Sequence, residues 1–328
     1  MRFDALPLVA DAPAERPRIE RRAVRRTEGE TTFYEVASRT VIDKVPPAIG
    51  LGVDWSVSPY RGCAHACLYC AGRRGHRYLG LDGERDFGSA IVVKTDAARR
   101  LRAELAKPRW RGETVAIGLT GDCYQDAERT YRLMPGIVAA LRDSGNPFQV
   151  MTKSALVLRD ADLIAQAAEV AEARVMVSIG FVDDRLRRAV EPGAPSAQKR
   201  LELCAELNER GAACGVLMAP ILPCLTDSED QLRAVVRRVA ETGAVSITPL
   251  VLQLPSGSRE WYLRWLAEQH PALLPRYTEL YGGGAVAAQA YRDRVTARVT
   301  EFARLYGIGA KNRPWTPSRA ATRQMALL

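Results

Sequence analysis

Between residues 55 and 251, short β-branched runs alternate with longer segments of helical period. The strand candidates are 55–58, 114–119, 148–152, 174–180, 214–221 and 245–251. Amphipathic helices are predicted over 95–106, 128–143, 160–173, 196–211 and 228–243. Strands that alternate with helices predict an α/β fold with a parallel sheet and right-handed crossovers. The strands are apolar throughout, so both faces of the sheet must be covered, as in an open or closed barrel. Functional groups then belong at the carboxyl ends of the strands.

Local signals mark the helix ends. Thr226 followed by Glu229 has the spacing of a capping box, and Gly145, Gly211 and Gly243 fall where a left-handed residue ends a helix. Residues 1–31 carry no apolar periodicity and predict a poorly ordered basic segment, with its charge concentrated from Arg16 to Arg26. The stretch TTFYEVASRTVID predicts a peripheral strand. After Leu254 the alternation stops; residues 255–328 are aromatic-rich, then helical near Val286–Tyr306, with a turn at Gly282–Gly284. This organisation predicts a core over 32–254 and a helical cap over 255–328.

Composition narrows the chemistry. Among 328 residues 47% are apolar and 26% charged, which suits a globular enzyme, and no apolar run reaches membrane-spanning length. With no apolar signal region at the N-terminus, the expected location is cytoplasmic. Seven unevenly spaced cysteines do not make a secreted disulfide framework. The net charge of +9 gives a basic surface able to attract phosphate, although the arginines are scattered along the chain.

Three of the cysteines lie in SPYRGCAHACLYCAGRRGH, at Cys63, Cys67 and Cys70, just after the first strand of the alternating region. A structural zinc needs four ligands, usually as two separated pairs; here only His65 or His76 could complete the set. A [4Fe–4S] cluster normally takes four thiolates, so three leave one iron open to a non-protein ligand. The CxxxCxxC spacing, with Tyr69 before the last cysteine and six βα units around it, resembles the radical SAM superfamily. The segments PYRGCAHACLYC, TGDCYQDAERTYRLMPG, VMTKS, VSIGFVDD, AVEPGAPSAQKRLELC and VLMAPILP look like its spore photoproduct lyase-like branch, within an uncharacterised actinobacterial subgroup. The resemblance covers roughly residues 32–310.

The resemblance implies a partial (βα)6 TIM-like barrel, a [4Fe–4S] cluster on Cys63, Cys67 and Cys70, and S-adenosylmethionine on the open iron. Reductive cleavage would give methionine and a 5′-deoxyadenosyl radical that takes hydrogen from a substrate. An electron donor of the flavodoxin or ferredoxin type is implied as partner, and a nucleotide or nucleic acid as substrate; a peptide or natural-product intermediate is the alternative.

The same resemblance places Tyr69 near the adenine, Asp122 at the cofactor's ammonium group, Lys153 facing its carboxylate and Ser178 at the ribose. It also brings Arg200 within reach of the carboxylate, against the competing reading of a surface salt bridge. Cys123, at a strand end, is a candidate redox or hydrogen-donor residue; aligning TGD with the photolyases puts their donor cysteine near Leu119 instead. Cys204 and Cys214 read as core residues, and Cys224 as a loop residue able to serve an auxiliary cluster only with further ligands. Ala71 stands where family members commonly carry an aromatic, so the substrate need not be a thymine dimer.

Overall fold

A computed structural model describes residues 24–45 and 51–309. Its strands are β1 (Val24–Glu28), β2 (Thr31–Val36), β3 (Ile42–Lys44), β4 (Trp55–Val57), β5 (Tyr60–Arg61), β6 (Ala90–Lys94), β7 (Val115–Ile117), β8 (Phe148–Thr152), β9 (Ala173–Ser178), β10 (Cys214–Ile221) and β11 (Ile247–Val251). The helices that follow the cysteines are α1 (Arg73–Tyr78), α2 (Ala97–Leu105), α3 (Ala127–Tyr131), α4 (Leu133–Asp143), α5 (Ala161–Val170), α6 (Asp184–Val190), α7 (Ala197–Glu209) and α8 (Glu229–Ala240). Beyond the sheet come α9 (Arg259–Gln269), α10 (Leu274–Tyr281) and α11 (Gln289–Leu305).

The main sheet runs β11–β10–β9–β8–β7–β4–β3, with only β3 antiparallel. Six consecutive parallel strands therefore form the partial (βα)6 barrel, bounded by β11 and β3. Alternation along each strand explains why both faces are apolar. Val115, Ile117, Val150, Val175, Val177 and Val216 face the helices, while Ala116, Met151, Met176, Leu217 and Ala219 form a separate interior cluster.

A second sheet, β1–β2–β6–β5, joins the two N-terminal strands to β5 and β6, which lie with α1 and α2 in the long connection between β4 and β7. β2 falls in the stretch TTFYEVASRTVID, expected as a peripheral strand. Periodicity did not reveal β5 and β6, because β5 is two residues long and β6 is a short run buried at every position. The first 23 residues of the expected basic segment lie outside the described residues, while Val24–Glu28 pair with β2.

Two boundary expectations are corrected. The helix predicted over 128–143 is two helices, because Arg132 takes a left-handed φ of 47°. The Glu128 carboxylate accepts from the backbone N–H of Leu133 at 2.9 Å and of Met134 at 3.0 Å, capping the second helix in the first one's place. The capping box of α8 is formed by Ser228 and Gln231, not Thr226 and Glu229. Thr226 instead closes the preceding turn, accepting from Leu222 N–H at 2.8 Å. The three helix-ending glycines do adopt positive φ, from 61° to 78°.

The C-terminal helices are sewn to the barrel rather than merely adjacent to it. Tyr281 donates to the Leu252 carbonyl at 2.7 Å, Tyr277 to the Pro223 carbonyl at 3.0 Å, and Leu254 N–H to Ala285 at 2.7 Å. Among the described residues no helix is long and apolar enough to cross a membrane.

Candidate active site

The carboxyl ends of the six parallel strands open into a cavity of about 220 Å³. It is lined by Cys63, Cys67 and Cys70 from the loop after β4, and by Leu119, Gly121 and Asp122 after β7. Thr152 and Lys153 at the end of β8, Ser178 of β9, Ala219 and Pro220 of β10, and Val251 to Gln253 after β11 complete the wall.

The cysteine loop is held from several sides. Cys63 N–H donates to the Phe87 carbonyl at 2.9 Å, while Gln125 accepts from Ala64 N–H at 3.1 Å and donates to the Gly62 carbonyl at 2.9 Å. A Cβ on Gly72 would stand 2.1 Å from the Thr120 carbonyl oxygen, and one on Gly193 2.1 Å from that of Ala64. Both glycines are therefore required by backbone contact. Cys63 and Cys67 are buried, and Cys70 is partly so.

Burial pushes all three thiols above the ordinary range, Cys67 to about 11. Near neutral pH they are thiols until a metal displaces their protons. Among the described residues no three His, Cys, Asp or Glu side chains converge on a single ion. The histidines weighed for zinc are otherwise engaged. His76 Nε2 lies 2.9 Å from the Ala90 carbonyl, and His65 Nδ1 lies 3.4 Å from Asp122.

The family model for the radical SAM superfamily matches residues 57–236, which hold the cysteine loop and five of the six parallel strands apart from the first residues of β4. The chain belongs to the radical SAM superfamily of enzymes. An uncharacterized protein of Mycobacterium tuberculosis is 42% identical over 290 residues, spanning 88% of this chain and 85% of that one. An uncharacterized protein of Methanocaldococcus jannaschii is 28% identical over 178 residues, 54% of this chain and 64% of its own. Among solved structures, spore photoproduct lyase complexed with a dinucleoside spore photoproduct superposes with a TM-score of 0.65 at 14% identity, covering 84% of this chain and 80% of that chain. A variant of the same enzyme with bound S-adenosylmethionine and the dinucleoside gives the same values. At such identity the likeness shows the fold.

Within this radical SAM barrel the residues singled out by sequence fall into three groups. Asp122 is buried on the cavity wall with both carboxylate oxygens engaged. One accepts from Thr152 Oγ1 at 2.7 Å and Tyr124 N–H at 2.9 Å; the other accepts from Lys153 N–H at 2.7 Å and faces His65. Its own N–H lies 3.4 Å from Cys63 Sγ. Asp122 thus ties the cysteine loop to the end of β8.

The second group is an ion network that sequence did not foresee, centred on Glu191. Tyr69 Oη and Arg200 Nη2 both donate to it, and Lys153 Nζ lies 3.7 Å away. Burial would raise the Glu191 carboxyl, but Arg200, Lys153 and Tyr69 hold it down at about 2. Burial would likewise lower Lys153, yet Cys67 and Glu191 raise it above its ordinary value. Lys153 Nζ is 4.0 Å from Cys67 Sγ, so a cation does face the cysteines.

Arg200 is neither at the surface nor on the cavity wall. It is 2% exposed and also donates to the carbonyls of Pro195 at 2.9 Å and Ser178 at 3.1 Å. The available signal for Glu191 was an acid in AVEPGAPSAQ, between the lysine and arginine segments and next to neither in sequence.

The third group lies outside the hydrogen bonds of the Asp122 and Glu191 carboxylates, and part of it lies away from the cavity. Cys123 is fully buried, in the core between β7 and β8, with its thiol directed at the Met151 carbonyl 3.8 Å away. It does not line the cavity, whereas Leu119 does. Ser178 lines the cavity but donates to the Ala219 carbonyl at 2.9 Å. Cys224 is exposed in the loop after β10, and Cys204 and Cys214 are core residues. Ala71 is exposed at the rim of the cavity.

Proposed function

We propose that this radical SAM enzyme holds a [4Fe–4S] cluster on Cys63, Cys67 and Cys70 and binds S-adenosylmethionine beside it. Once reduced by an external one-electron donor, the cluster would supply the electron that breaks the S–C5′ bond of the cofactor, and the 5′-deoxyadenosyl fragment would take a hydrogen atom from substrate. The observation that carries the reading is three cysteines, two buried and one partly so, on one wall of a single cavity at the carboxyl ends of six parallel strands.

The protein's part is to position and to exclude water. Lys153 offers a cation to a carboxylate, held in place by Glu191 and by its main-chain bond to Asp122. Tyr69 offers a ring face with its hydroxyl anchored on Glu191. The Ser178 hydroxyl is the nearest candidate for a ribose contact. Asp122 and Arg200 act as positioning residues, because their polar atoms are engaged by protein groups. Cys123 packs in the core rather than donating hydrogen.

For the substrate we favour an uncharged, flat group of nucleobase type. The outer wall, with Leu51, Leu119, Leu217, Leu250 and Leu252, is apolar, and the two basic residues lining the cavity face Glu191 and Asp122. A dinucleoside bound in spore photoproduct lyase lends support, since the two proteins share this fold. With no cysteine at position 119, near which the resemblance places the photolyase donor, and Ala71 at the rim, simple dimer reversal is disfavoured. The one-electron donor would be a flavodoxin or ferredoxin acting from the cytoplasm.

Anaerobic reconstitution with iron and sulfide, reduction by dithionite and chromatography for 5′-deoxyadenosine test the reading. Product above a Cys70→Ala control is expected; its absence would sink the proposal. Deuterium transfer from candidate nucleosides into 5′-deoxyadenosine then identifies the substrate class.

A further inference from the structure

We propose that Arg73 is the fixed positive charge that balances the cluster held by Cys63, Cys67 and Cys70, and so sets its reduction potential. The inference rests on the reading that this loop holds such a cluster.

Arg73 opens α1, three residues after the last cysteine, and its side chain turns back under the loop instead of toward phosphate or solvent. It is 2% exposed. Nε donates to the Cys67 carbonyl at 2.9 Å and Nη2 to the Ala66 carbonyl at 2.7 Å. Nη1 donates to the carbonyls of Gly83 at 2.9 Å and Glu84 at 3.2 Å. Phe87 and Trp261 cover the guanidinium with their rings, 4.7 and 5.6 Å from its carbon.

Every hydrogen-bond acceptor is therefore a neutral carbonyl. Among the described residues no carboxylate lies within ion-pair distance of Arg73. The carboxylate of Glu84 instead faces Arg264 at 3.1 Å and Arg77 at 3.9 Å. Arginine stays protonated in proteins, and an unpaired buried charge is strongly unfavourable. Lys153 makes the contrast, because it approaches the same cysteines with Glu191 already beside it.

The negative charge able to answer Arg73 is that of the three thiolates on their iron–sulfur core, which gains one more negative charge on reduction. A fixed cation favours the reduced state more than the oxidised state, and net charge and hydrogen bonding set cluster potentials. Arg73 is on this account a positioning residue with an electrostatic role.

The test is a redox titration of anaerobically reconstituted wild type, Arg73→Gln and Arg73→Lys, read by electron paramagnetic resonance, with iron and sulfide counted per chain. Arg73→Lys is expected to stay near the wild-type potential. Arg73→Gln is expected to lose about tenfold in the equilibrium constant for reduction, 59 mV for a one-electron couple. Loading of Arg73→Lys alongside failure of Arg73→Gln to load also supports the charge. Equal potentials in all three proteins, equal shifts in both variants, or loss of cluster from both would overturn it, leaving Arg73 a mechanical staple. A wild type that takes up no iron fails the parent reading instead, and that control separates the two failures.

Discussion

At the scale of single residues, the site depends on side chains whose polar atoms face other protein groups. Glu191 is the clearest case, because among the described residues it is the carboxylate paired with buried Arg200, and it also faces Lys153. Glu191→Gln is expected to destabilise the apoprotein by about 3–5 kcal/mol, since two cations lose their counter-charge; urea denaturation followed by circular dichroism measures this. Cys123→Ala should leave the yield of 5′-deoxyadenosine unchanged while lowering stability slightly, because its thiol packs in the core and not on the cavity wall. A fall in yield without a fall in stability would restore Cys123 as a chemical participant. Gly72→Ala should loosen the cysteine loop, because a methyl group cannot share space with the Thr120 carbonyl. Iron retention during gel filtration of the reconstituted protein checks it.

At the scale of elements, the barrel repeats were legible because each βα unit carries its own period and turn residues. Where a neighbouring element supplies the terminating group, local reading failed. Glu128 ends α3 and caps α4 while also bonding Tyr60 and Arg159, so a stretch of unbroken helical character becomes two helices. Likewise Thr226 had the capping-box spacing, but Leu222 claims its hydroxyl and Ser228 caps α8. Ser228→Ala is expected to cost about 1 kcal/mol, the usual loss when a helix gives up its N-cap oxygen. Thr226→Ala should act through the preceding turn instead and leave the far-ultraviolet helix signal intact. Chemical denaturation of the two variants separates these effects.

At the scale of the whole molecule, the cysteine loop sits where the small sheet, the barrel mouth and α9 meet. Arg73 stacks on Trp261 of α9, and a Cβ on Gly257 would stand 3.2 Å from Arg74 Cβ. The C-terminal segment thus braces the loop from outside the alternating core. Loading the cluster should therefore raise the thermal midpoint of the full chain, since a group that binds only the folded state stabilises it. Cys70→Ala should abolish that increment, and differential scanning calorimetry of loaded and unloaded protein reads both. By itself the sequence determined the βα order, the three cysteines and their place after the first parallel strand, because period, spacing and turn chemistry are local properties. The Glu191 network, the burial of Arg73 and the turn of Cys123 away from the cavity were decided only in the tertiary structure. Each depends on groups far apart in the chain meeting inside a low-dielectric interior, where an ion must find its partner and no sequence period records which one.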